Sequence, residues 1–354
     1  MKKFILITGS NGLVGFETSK FFLAKGYNVI GIDSNHRRFF FGQTADTTWL
    51  KKKLVKNQNY HHYNFDITKY DQLKKIFYKY ENKIKLIVHC AAQPSHDWAY
   101  VNPILDFKVN SLGTINLLEL FRTFCPKSKF ILTSTNKVYG DNPNKLKFTE
   151  KPLRFETNKK DYFYNGIDET MSIDNCTHSL FGVSKCYGDL AVQEYGKNFN
   201  LNTVVFRAGC ITGPNHSSVK LHGFLSFLVK SCIKFKKYNL IGHKGKQVRD
   251  NLHSYDLVRC FWEYFKSPKS KGSVYNIGGG RFSNCSILEA IRFIEKRLKI
   301  KVKTKITKKS RVGDHVWYIS NCSKFKKDYP KWKQKYNTTK ILNEIIEYEM
   351  SLRK

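Results

Sequence analysis

The sequence predicts an α/β fold: a doubly wound parallel sheet with helices on both faces and a smaller mixed α/β domain toward the C-terminus. Three observations support this prediction. Short apolar runs alternate with helix-period segments in the N-terminal half of the chain. The runs are almost continuously apolar, which is typical of strands buried on both faces. A glycine-rich turn separates the first run from the first helical segment.

Five apolar runs are predicted to be strands of this sheet, namely residues 4–8, 28–33, 86–92, 129–135 and 203–209. Helices are predicted between them at residues 16–25, 71–80 and 113–124. The second half is less regular, with Gly-, Asn- and His-rich loops at 213–223 and 242–251, a strand at 274–280 and a helix at 286–299. The segment 299–309 alternates Lys or Thr with Ile and Val, which predicts a half-exposed strand with its lysines in water.

The composition favours a packed protein outside the membrane. Hydrophobic residues make up 41% of the chain and aromatic residues 15%, which is enough for a substantial core. No apolar run approaches the ~18–20 residues of a membrane span. The N-terminal segment MKKFILITGS runs directly into a glycine motif rather than a cleavage site, unlike a signal peptide. We therefore expect a cytoplasmic protein.

Cysteine and histidine spacing gives no sign of a disulfide framework or a metal site. The nine cysteines are scattered singly, and none forms a Cys-x-x-Cys pair. Reduced thiols are the expected state. His61 and His62 are adjacent, a pattern more typical of an exposed strand end than of a pair of metal ligands.

The net charge of +34 raises the question of nucleic-acid binding. The positive residues are mostly Lys and are spread along the whole chain, without a basic-aromatic binding motif. This distribution is more typical of a solvated surface, so we predict no nucleic-acid partner. The excess positive charge would still attract an anionic substrate.

A glycine motif indicates dinucleotide binding. FILITGSNGLVG places Gly9, Gly12 and Gly15 after a strand and at the start of a helix. Glycines allow a tight turn and a close approach of the backbone to a pyrophosphate at the helix N-terminus. Asp33 follows at the end of the next strand, where a carboxylate accepts hydrogen bonds from ribose hydroxyls and favours NAD over NADP. Arg37 and Arg38 come shortly afterwards, and their positive charge would instead favour NADP.

Further motifs resemble the extended short-chain dehydrogenase/reductase family, and the resemblance covers essentially the whole chain. They occur in the family's order, as Asp66-Ile67, HCAAQ (89–93), Asn110-x-x-Gly113-Thr114, TSTNKVYG (133–140), FRAGCITGPN (206–215), GKQVRDNLHSYD (245–256), VYNIGGG (274–280) and Arg311-x-Gly313-Asp314. The resemblance implies a Rossmann-type NAD-binding domain (1–210 plus about 252–278) and a substrate-binding domain (211–251 plus 279–354). Such proteins often form homodimers through a helix bundle that includes the helix starting near residue 181.

Within the family, the chain looks most like the CDP-tyvelose (CDP-paratose) 2-epimerases. STNKVYGD, NTVVFR, GKQVRD and the long insertion that ends in HSLFGVSK carry this finer resemblance. It implies a tightly held NAD that transiently oxidises C2 of a nucleotide sugar to a ketone, after which the hydride returns to the opposite face. The resemblance also implies an isomerase that acts in carbohydrate biosynthesis, in the formation of lipopolysaccharide.

The resemblance also implies the residues of the site. Cofactor-lining positions are Gly9, Asn11, Gly12, Leu13, Gly15, Asp33, Asn35, Asp66, Ile67, Ala91, Ala92, Gln93, Asn110 and Lys185. Substrate-binding positions are His96, Asn136, Asn215, Gln247, Arg249 and Arg311. Thr135 matches the family's hydroxyl residue that bonds the reacting oxygen, and Lys185 matches the lysine that grips the nicotinamide ribose. A planar arginine fork suits the nucleotide diphosphate.

Residue 181 departs from the family pattern, because the usual catalytic Tyr is Phe here. In one interpretation the enzyme is active and another side chain takes the proton; Tyr164 and His178 are the first candidates, followed by Tyr139, His96 and Asp97. In the second, the Tyr was replaced by engineering. In the third, the protein binds a nucleotide sugar without converting it. We expect the active enzyme.

Other functions on the same scaffold remain open. A 4-epimerase or a ketoreductase is possible, although Asp33 argues against the exchangeable NADPH that a ketoreductase needs. A 4,6-dehydratase would require an Asp-Glu pair after the hydroxyl residue, and this chain has Asn136-Lys137 instead. A non-enzymatic alternative is a basic dinucleotide fold used to bind RNA, which steeply salt-dependent binding would reveal.

Overall fold

The computed structural model describes residues 2–219, 222–307 and 313–353. Its strands, numbered in chain order, are β1 Phe4–Thr8, β2 Asn28–Ile32, β3 Tyr60–Tyr63, β4 Ile84–His89, β5 Lys129–Thr135, β6 Phe148–Glu150, β7 Phe155–Thr157, β8 Asn202–Ala208, β9 Cys210–Thr212, β10 Lys237–Ile241, β11 Val248–His253, β12 Ser273–Ile277, β13 Asn284–Ser286, β14 Lys303–Thr307 and β15 Trp317–Tyr318. Its helices are α1 Leu13–Ala24, α2 His36–Phe41, α3 Thr48–Leu54, α4 Tyr70–Tyr80, α5 His96–Val101, α6 Pro103–Phe107, α7 Gly113–Phe124, α8 Leu180–Asn198, α9 Phe224–Phe235, α10 Ser254–Lys266, α11 Ile287–Leu298, α12 Ser323–Asp328 and α13 Thr338–Ser351. A π-helical turn, Lys108–Leu112, joins α6 to α7.

The central sheet confirms the predicted fold class. Seven strands lie in the order β12-β8-β5-β4-β1-β2-β3, and every neighbouring pair is parallel. The chain runs outward from β1 through β2 to β3 and then crosses to β4 on the other side of β1. The strand order therefore reverses between β1 and β4, and ligands of open α/β sheets bind at the carboxyl ends of the strands at such a point.

Both faces of the sheet are covered by helices, as the apolar strands predict. On one face, α1 and α10 pack through Phe22 and Phe261. On the other face, α4, α7 and α8 pack through residues such as Phe77, Phe121 and Val192. Full burial of one such side chain contributes about 1.5–3 kcal/mol. The two cores hold the strand ends in place at the edge where the site lies.

The later part of the chain builds a second group of small sheets beside this edge. Strand β11 pairs with β9, β13 and β15, and β10 pairs in parallel with β14. Helices α9, α11 and α13 bury a separate apolar cluster that includes Leu228, Ile291 and Ile345. Strand β11 leads directly into α10 and then β12, so the chain returns to the central sheet after contributing to the small one.

The lysine-rich segment 299–309 differs in part from its prediction. Lys299 adopts a left-handed conformation that ends α11, and the strand covers only Lys303–Thr307. Its first four residues are all exposed, so the strand lacks the buried alternate face that the sequence pattern predicted. Residues 308 and 309 lie outside the described residues.

No helix within the described ranges is long and apolar enough to cross a membrane. None of the nine cysteines forms a disulfide in the structure. The described residues contain no group of three or more His, Cys, Asp or Glu side chains that could hold a metal ion.

Candidate functional site

A cavity of about 740 Å³ opens at the carboxyl ends of the central strands, where the strand order reverses. One wall comes from the turns after β1, β2, β4 and β5 and from α8. The opposite wall comes from α9, β10 and β11. The cavity therefore joins the two groups of elements in the fold, and its volume lies within the range of about 300–1,000 Å³ that is typical of ligand-binding clefts.

The turn between β1 and α1 has the geometry of a dinucleotide cradle. Gly9 has φ +65°, and a Cβ on this residue would lie 2.7 Å from the backbone nitrogen of Ala91. A Cβ on Gly15 would lie 2.1 Å from the carbonyl oxygen of Gly9. Gly12 caps α1 without a side chain, and Gly12 and Leu13 both border the cavity. A pyrophosphate fits here because the N-terminal amides of α1 meet the cavity with no side chain between them.

Asp33 stands at the end of β2 with its carboxylate fixed in place. The backbone N–H of Asn11 donates to Oδ2 at 2.9 Å, and that of Asn35 donates to Oδ1 at 2.7 Å. Burial raises the pKa of this carboxyl, and the two backbone donors oppose the rise. Each carboxylate oxygen accepts more than one hydrogen bond, so Asp33 can still receive ribose hydroxyls. Asn11 and Asn35 thus act on the cofactor site through Asp33.

The two arginines after Asp33 are engaged elsewhere. Arg37 donates from Nη2 to the carbonyl of Ser217 at 2.7 Å, and its Nη1 lies 3.1 Å from Nδ1 of His222. Arg38 is exposed and pairs with Asp46 at 3.4 Å. Both guanidinium groups therefore have protein partners, which weakens the argument for a 2′-phosphate.

Asp66 and Ile67 border the same end of the cavity. Burial alone would raise the pKa of Asp66, but hydrogen bonds from His36 and Thr68 outweigh it and hold the pKa below its ordinary value. His36 Nδ1 lies 2.9 Å from the Asp66 carboxylate, and this bond raises the pKa of the imidazole. The pair fixes the loop after β3 against α2.

The residues predicted after β4 divide into two groups. Ala91 and Ala92 border the cavity. Gln93 and Asn110 are buried behind it, where the Gln93 N–H donates to Asn110 Oδ1 at 2.9 Å and Gln93 Nε2 donates to Asp106 at 2.6 Å. These two side chains hold the loop that carries the alanines and do not themselves line the cavity.

Thr135, Phe181 and Lys185 all line the cavity, in the corner where α8 faces the end of β5. Lys185 donates from Nζ to the carbonyl of Thr133 at 3.2 Å, and burial lowers the pKa of its ammonium to about 8. The hydroxyl of Thr135 accepts the N–H of Lys137 at 3.2 Å. Phe181 is only 7% exposed and presents its ring beside Lys185 on the same helix. The family's hydroxyl and lysine are thus together, without the phenol.

Three of the side chains considered as replacements for the phenol lie away from the cavity. His178 donates from Nε2 to the carbonyl of Val138 at 2.8 Å. The ring of Tyr164 is covered by the Arg281 guanidinium at 4.1 Å, and its carbonyl accepts from that arginine. Tyr139 is fully buried and donates to Asn276 at 2.7 Å.

His96 is the candidate that borders the cavity. Its ring centroid lies 4.9 Å from that of Phe181, and its Nδ1 lies 2.6 Å from Ser179 Oγ. Asp97, the next residue, lies in the first turn of α5 and outside the cavity wall. Tyr164, His178 and Tyr139 are near the motifs in sequence, and His96 and Asp97 come from a neighbouring loop, but position along the chain gives no side-chain direction.

Two of the predicted substrate residues, Gln247 and Arg249, lie on the opposite wall at the start of β11, and the others that the structure describes lie elsewhere. Arg249 donates from Nη2 to Asp314 at 2.5 Å; burial alone would raise the pKa of Asp314, but Arg249 holds it well below its ordinary value. Gln247 and Asn136 border the cavity, whereas Asn215 donates to Glu17 at 2.5 Å outside it. Arg311 lies outside the described residues.

Aromatic and aliphatic side chains of this wall were not identified from the sequence. They are Phe224, Phe227, Tyr238, Ile241 and Ile287. Gln247 stands among them, with Nε2 donating to the carbonyl of Ile241 at 2.8 Å and its buried Oε1 without a partner in the described residues. Apolar walls around one fixed acceptor suit a flat heterocycle that donates an N–H group.

Comparison with known proteins places these features in a family. The model of the NAD dependent epimerase/dehydratase family matches residues 5–278. A CDP-paratose 2-epimerase from Salmonella typhi is 31% identical over 296 residues, which cover 82% of this chain and 83% of that protein. A UDP-glucuronate 4-epimerase from Thermodesulfobacterium geofontis is 27% identical over 306 residues, 85% of this chain and 82% of that protein.

Solved structures share the fold. A UDP-glucuronic acid 4-epimerase from Bacillus cereus, crystallised with UDP-glucuronic acid and NAD, superposes with a TM-score of 0.80 at 24% identity over 99% of each chain. A UDP-glucose 4-epimerase from Thermus thermophilus in complex with NAD gives 0.77 at 20% identity, covering 98% of this chain and 99% of that one.

We predict that Asp33→Asn weakens NAD binding by about 10- to 100-fold, because a hydrogen bond to a charged group contributes about 1.5–3 kcal/mol. The side-chain amide of the variant would also place its NH₂ group against the backbone N–H of Asn11 or Asn35, which now donates to the carboxylate. Bound NAD in the purified protein and the dissociation constant by calorimetry are the measurements. Asp71→Asn, in the first turn of α4 and exposed, is the matched control. Equal affinities for all three proteins would show that Asp33 does not contact the cofactor.

Proposed function

Because this chain belongs to the NAD dependent epimerase/dehydratase family, we propose that it epimerises C2 of a CDP-hexose of the CDP-paratose class through a transient 2-keto sugar. The protein is an enzyme of this family and uses NAD. The observation that carries the finer proposal is the 31% identity to a CDP-paratose 2-epimerase over 82% of the chain. The order of the motifs around Thr135 and Lys185 supports the same assignment.

The corner formed by Thr135 and Lys185 supports redox chemistry at a sugar hydroxyl. NAD supplies the hydride acceptor and donor when it is bound. In this proposal the Thr135 hydroxyl hydrogen-bonds the reacting oxygen, and Lys185 supplies positive charge and donors to the nicotinamide ribose. Burial of the corner strengthens both interactions. Electrostatic attraction is stronger at a low local dielectric, and less water is present to compete for the same hydrogen bonds.

The opposite wall supports a nucleotide diphosphate. Arg249 keeps donors beyond the one that meets Asp314, since a guanidinium carries five N–H groups. The Oε1 of Gln247, which has no partner in the described residues, suits an N–H donor on the edge of a pyrimidine, and the aromatic side chains around it suit the ring faces. The net charge of +34 favours capture of such an anion from solution.

A 4-epimerase is the second candidate. The 27% identity to a UDP-glucuronate 4-epimerase over 85% of the chain favours it. The two functions differ in which hydroxyl-bearing carbon of the sugar, C2 or C4, meets Thr135. They also differ in the nucleobase of the substrate, cytosine or uracil. A protein that binds the nucleotide sugar without converting it is a third possibility, since Phe181 offers no proton.

We further propose the domain division 1–210 plus about 252–278 for NAD and 211–251 plus 279–354 for the nucleotide sugar. The strand assignment supports this division, because β10, β13, β14 and β15 belong to the small sheets and β12 (Ser273–Ile277) returns to the central sheet. The nine free thiols support a cytoplasmic location, where cysteines stay reduced. A role in carbohydrate or lipopolysaccharide biosynthesis would follow from the substrate. Neither nucleic acid nor a membrane is a proposed partner.

A homodimer is proposed on an apolar surface formed by α8 and the α5–α6 segment. Its large side chains are exposed in the single chain, namely Val101, Ile104, Phe107, Leu180, Val183, Tyr187 and Leu190. Helices α5 and α6 pack beside α8, so these residues form one continuous patch. A patch of this kind marks an interaction site, and α8 also carries Lys185.

The function predicts that the purified protein converts CDP-paratose to its C2 epimer without added cofactor, as proton NMR would detect. Lys185→Ala and Thr135→Ala should each lower the rate by at least about 10²-fold, because each removes a preorganised donor. Lys197→Ala, exposed on the same helix, and Thr149→Ala, exposed on β6, are the controls. Conversion of UDP-glucuronate instead would establish the 4-epimerase.

The dimer predicts that Val183→Asp gives a monomer in analytical ultracentrifugation, because a carboxylate buried in an apolar interface is strongly unfavourable. Val183 is 54% exposed in the single chain, and Val55→Asp is a control at a position that is 48% exposed outside the patch. If Val183→Asp sediments like the parent as a dimer, the interface lies elsewhere.

A further inference from the structure

We propose that His96 takes up the proton of the sugar hydroxyl during oxidation and returns it during reduction. This inference rests on the proposed function and names the residue that manages the proton. It starts from the position of Phe181, whose ring occupies the corner beside Lys185 and can neither accept nor donate a proton. A chemically competent group must therefore reach this corner from another element.

His96 reaches the corner from α5. Its ring meets the Phe181 ring in a T-shaped contact, with centroids 4.9 Å apart and planes at 61°. It borders the cavity together with Thr135 and Lys185. In this proposal a sugar hydroxyl bound to Thr135 comes within reach of this imidazole.

A hydrogen bond orients the imidazole. Nδ1 lies 2.6 Å from Ser179 Oγ, and the same oxygen accepts the N–H of Gly182 at 3.1 Å to cap α8. Helix α5 is itself anchored, because the indole N–H of Trp98 donates to the carbonyl of Phe40. We assign proton exchange to the other ring nitrogen, Nε2. The bond also couples His96 to the helix that carries Phe181 and Lys185.

Other ionisable groups near this corner suit the task less well. Burial raises the pKa of the Cys90 thiol to about 12 and that of Cys210 to about 11, so both stay protonated at neutral pH. Lys137 donates from Nζ to the carbonyl of Gly313 at 2.8 Å. Lys185 is needed as a cation. An imidazole changes its protonation near neutral pH, where a base of this kind works best.

The proton and electron balance is complete with groups already named. Oxidation of the carbinol breaks its C–H and O–H bonds and forms the carbonyl; the hydrogen and its electron pair go to NAD, and the proton goes to His96. The imidazolium then lies beside the carbonyl oxygen. During reduction the hydride returns to the other face of the carbon, and the imidazolium gives its proton back to the oxygen. His96 is therefore neutral at the end of each turnover.

The test compares four proteins: the parent, His96→Asn, Phe181→Tyr and the double variant. His96→Asn should lower the rate by at least 100-fold, while bound NAD and the affinity for CDP remain unchanged. In the double variant the phenol introduced by Phe181→Tyr should bring the rate back to within tenfold of Phe181→Tyr alone. A variant that had only damaged the fold would not be rescued. His61→Asn, on the edge strand β3, is the matched control.

Each variant is assayed on a panel of CDP-, UDP- and dTDP-hexoses, so that two failures can be told apart. If the parent is active and His96→Asn retains its rate, or if the double variant is not rescued, the role of His96 is wrong and the function stands. If only the two proteins that carry Phe181→Tyr are active, His96 is not the working base. If none of the four converts any sugar, both the function and the role are wrong.

A second readout does not depend on turnover. In protein labelled with ¹³C-histidine, the ring resonance that disappears in His96→Asn should shift when the converted nucleotide sugar is added to the NAD-loaded parent. The resonance assigned through His61→Asn should not move. A His96 resonance that is unchanged by the sugar would overturn the proposal, because the imidazole would then not contact the substrate.

Discussion

The close packing of α1 against the start of the sheet is the constraint on which the rest of the site depends. The carbonyl of Gly9 lies so near Gly15 that a single methyl group on Gly15 would force the helix away from β1. This contact directs the N-terminal amides of α1 into the gap between β1 and β4. The gap is where the strand order reverses, so the neighbouring strand ends deliver Asp33 and the alanines after β4 to the same cavity.

Helix α8 connects the cofactor side of the cavity to the proposed reaction site. Residues four apart lie on one face of a helix, so Phe181 and Lys185 both face the end of β5, where Thr135 stands. The Ser179 cap fixes the start of this helix and at the same time engages His96. Leu180, Val183, Tyr187 and Leu190 are exposed on the outer face of α8, which links the proposed dimer to the candidate site on the same helix.

Local patterns predicted the features that depend on neighbours in sequence. Strands such as β1 and β8 are buried on both faces and read as apolar runs, whereas the edge strand Tyr60–Tyr63 buries only its first residue and gives no such run. The glycine turn and Asp33 follow from spacing alone. Side-chain direction does not: His178 turns to a backbone carbonyl because the preceding loop packs there, and Gln93 turns inward to Asp106. The apolar wall of the nucleotide side comes from distant segments whose meeting no local pattern encodes.

In the proposed reaction the sugar is oxidised and reduced at a single carbon within one binding event. The most direct measurement follows CDP-paratose that carries deuterium at C2 through the reaction in ordinary water, with the label located by NMR of the epimer. We expect the deuterium to be retained at C2, because the hydride that leaves this carbon returns to it. Loss of the label to water would rule out this reaction, since it would mean that C2 exchanges a proton with solvent instead.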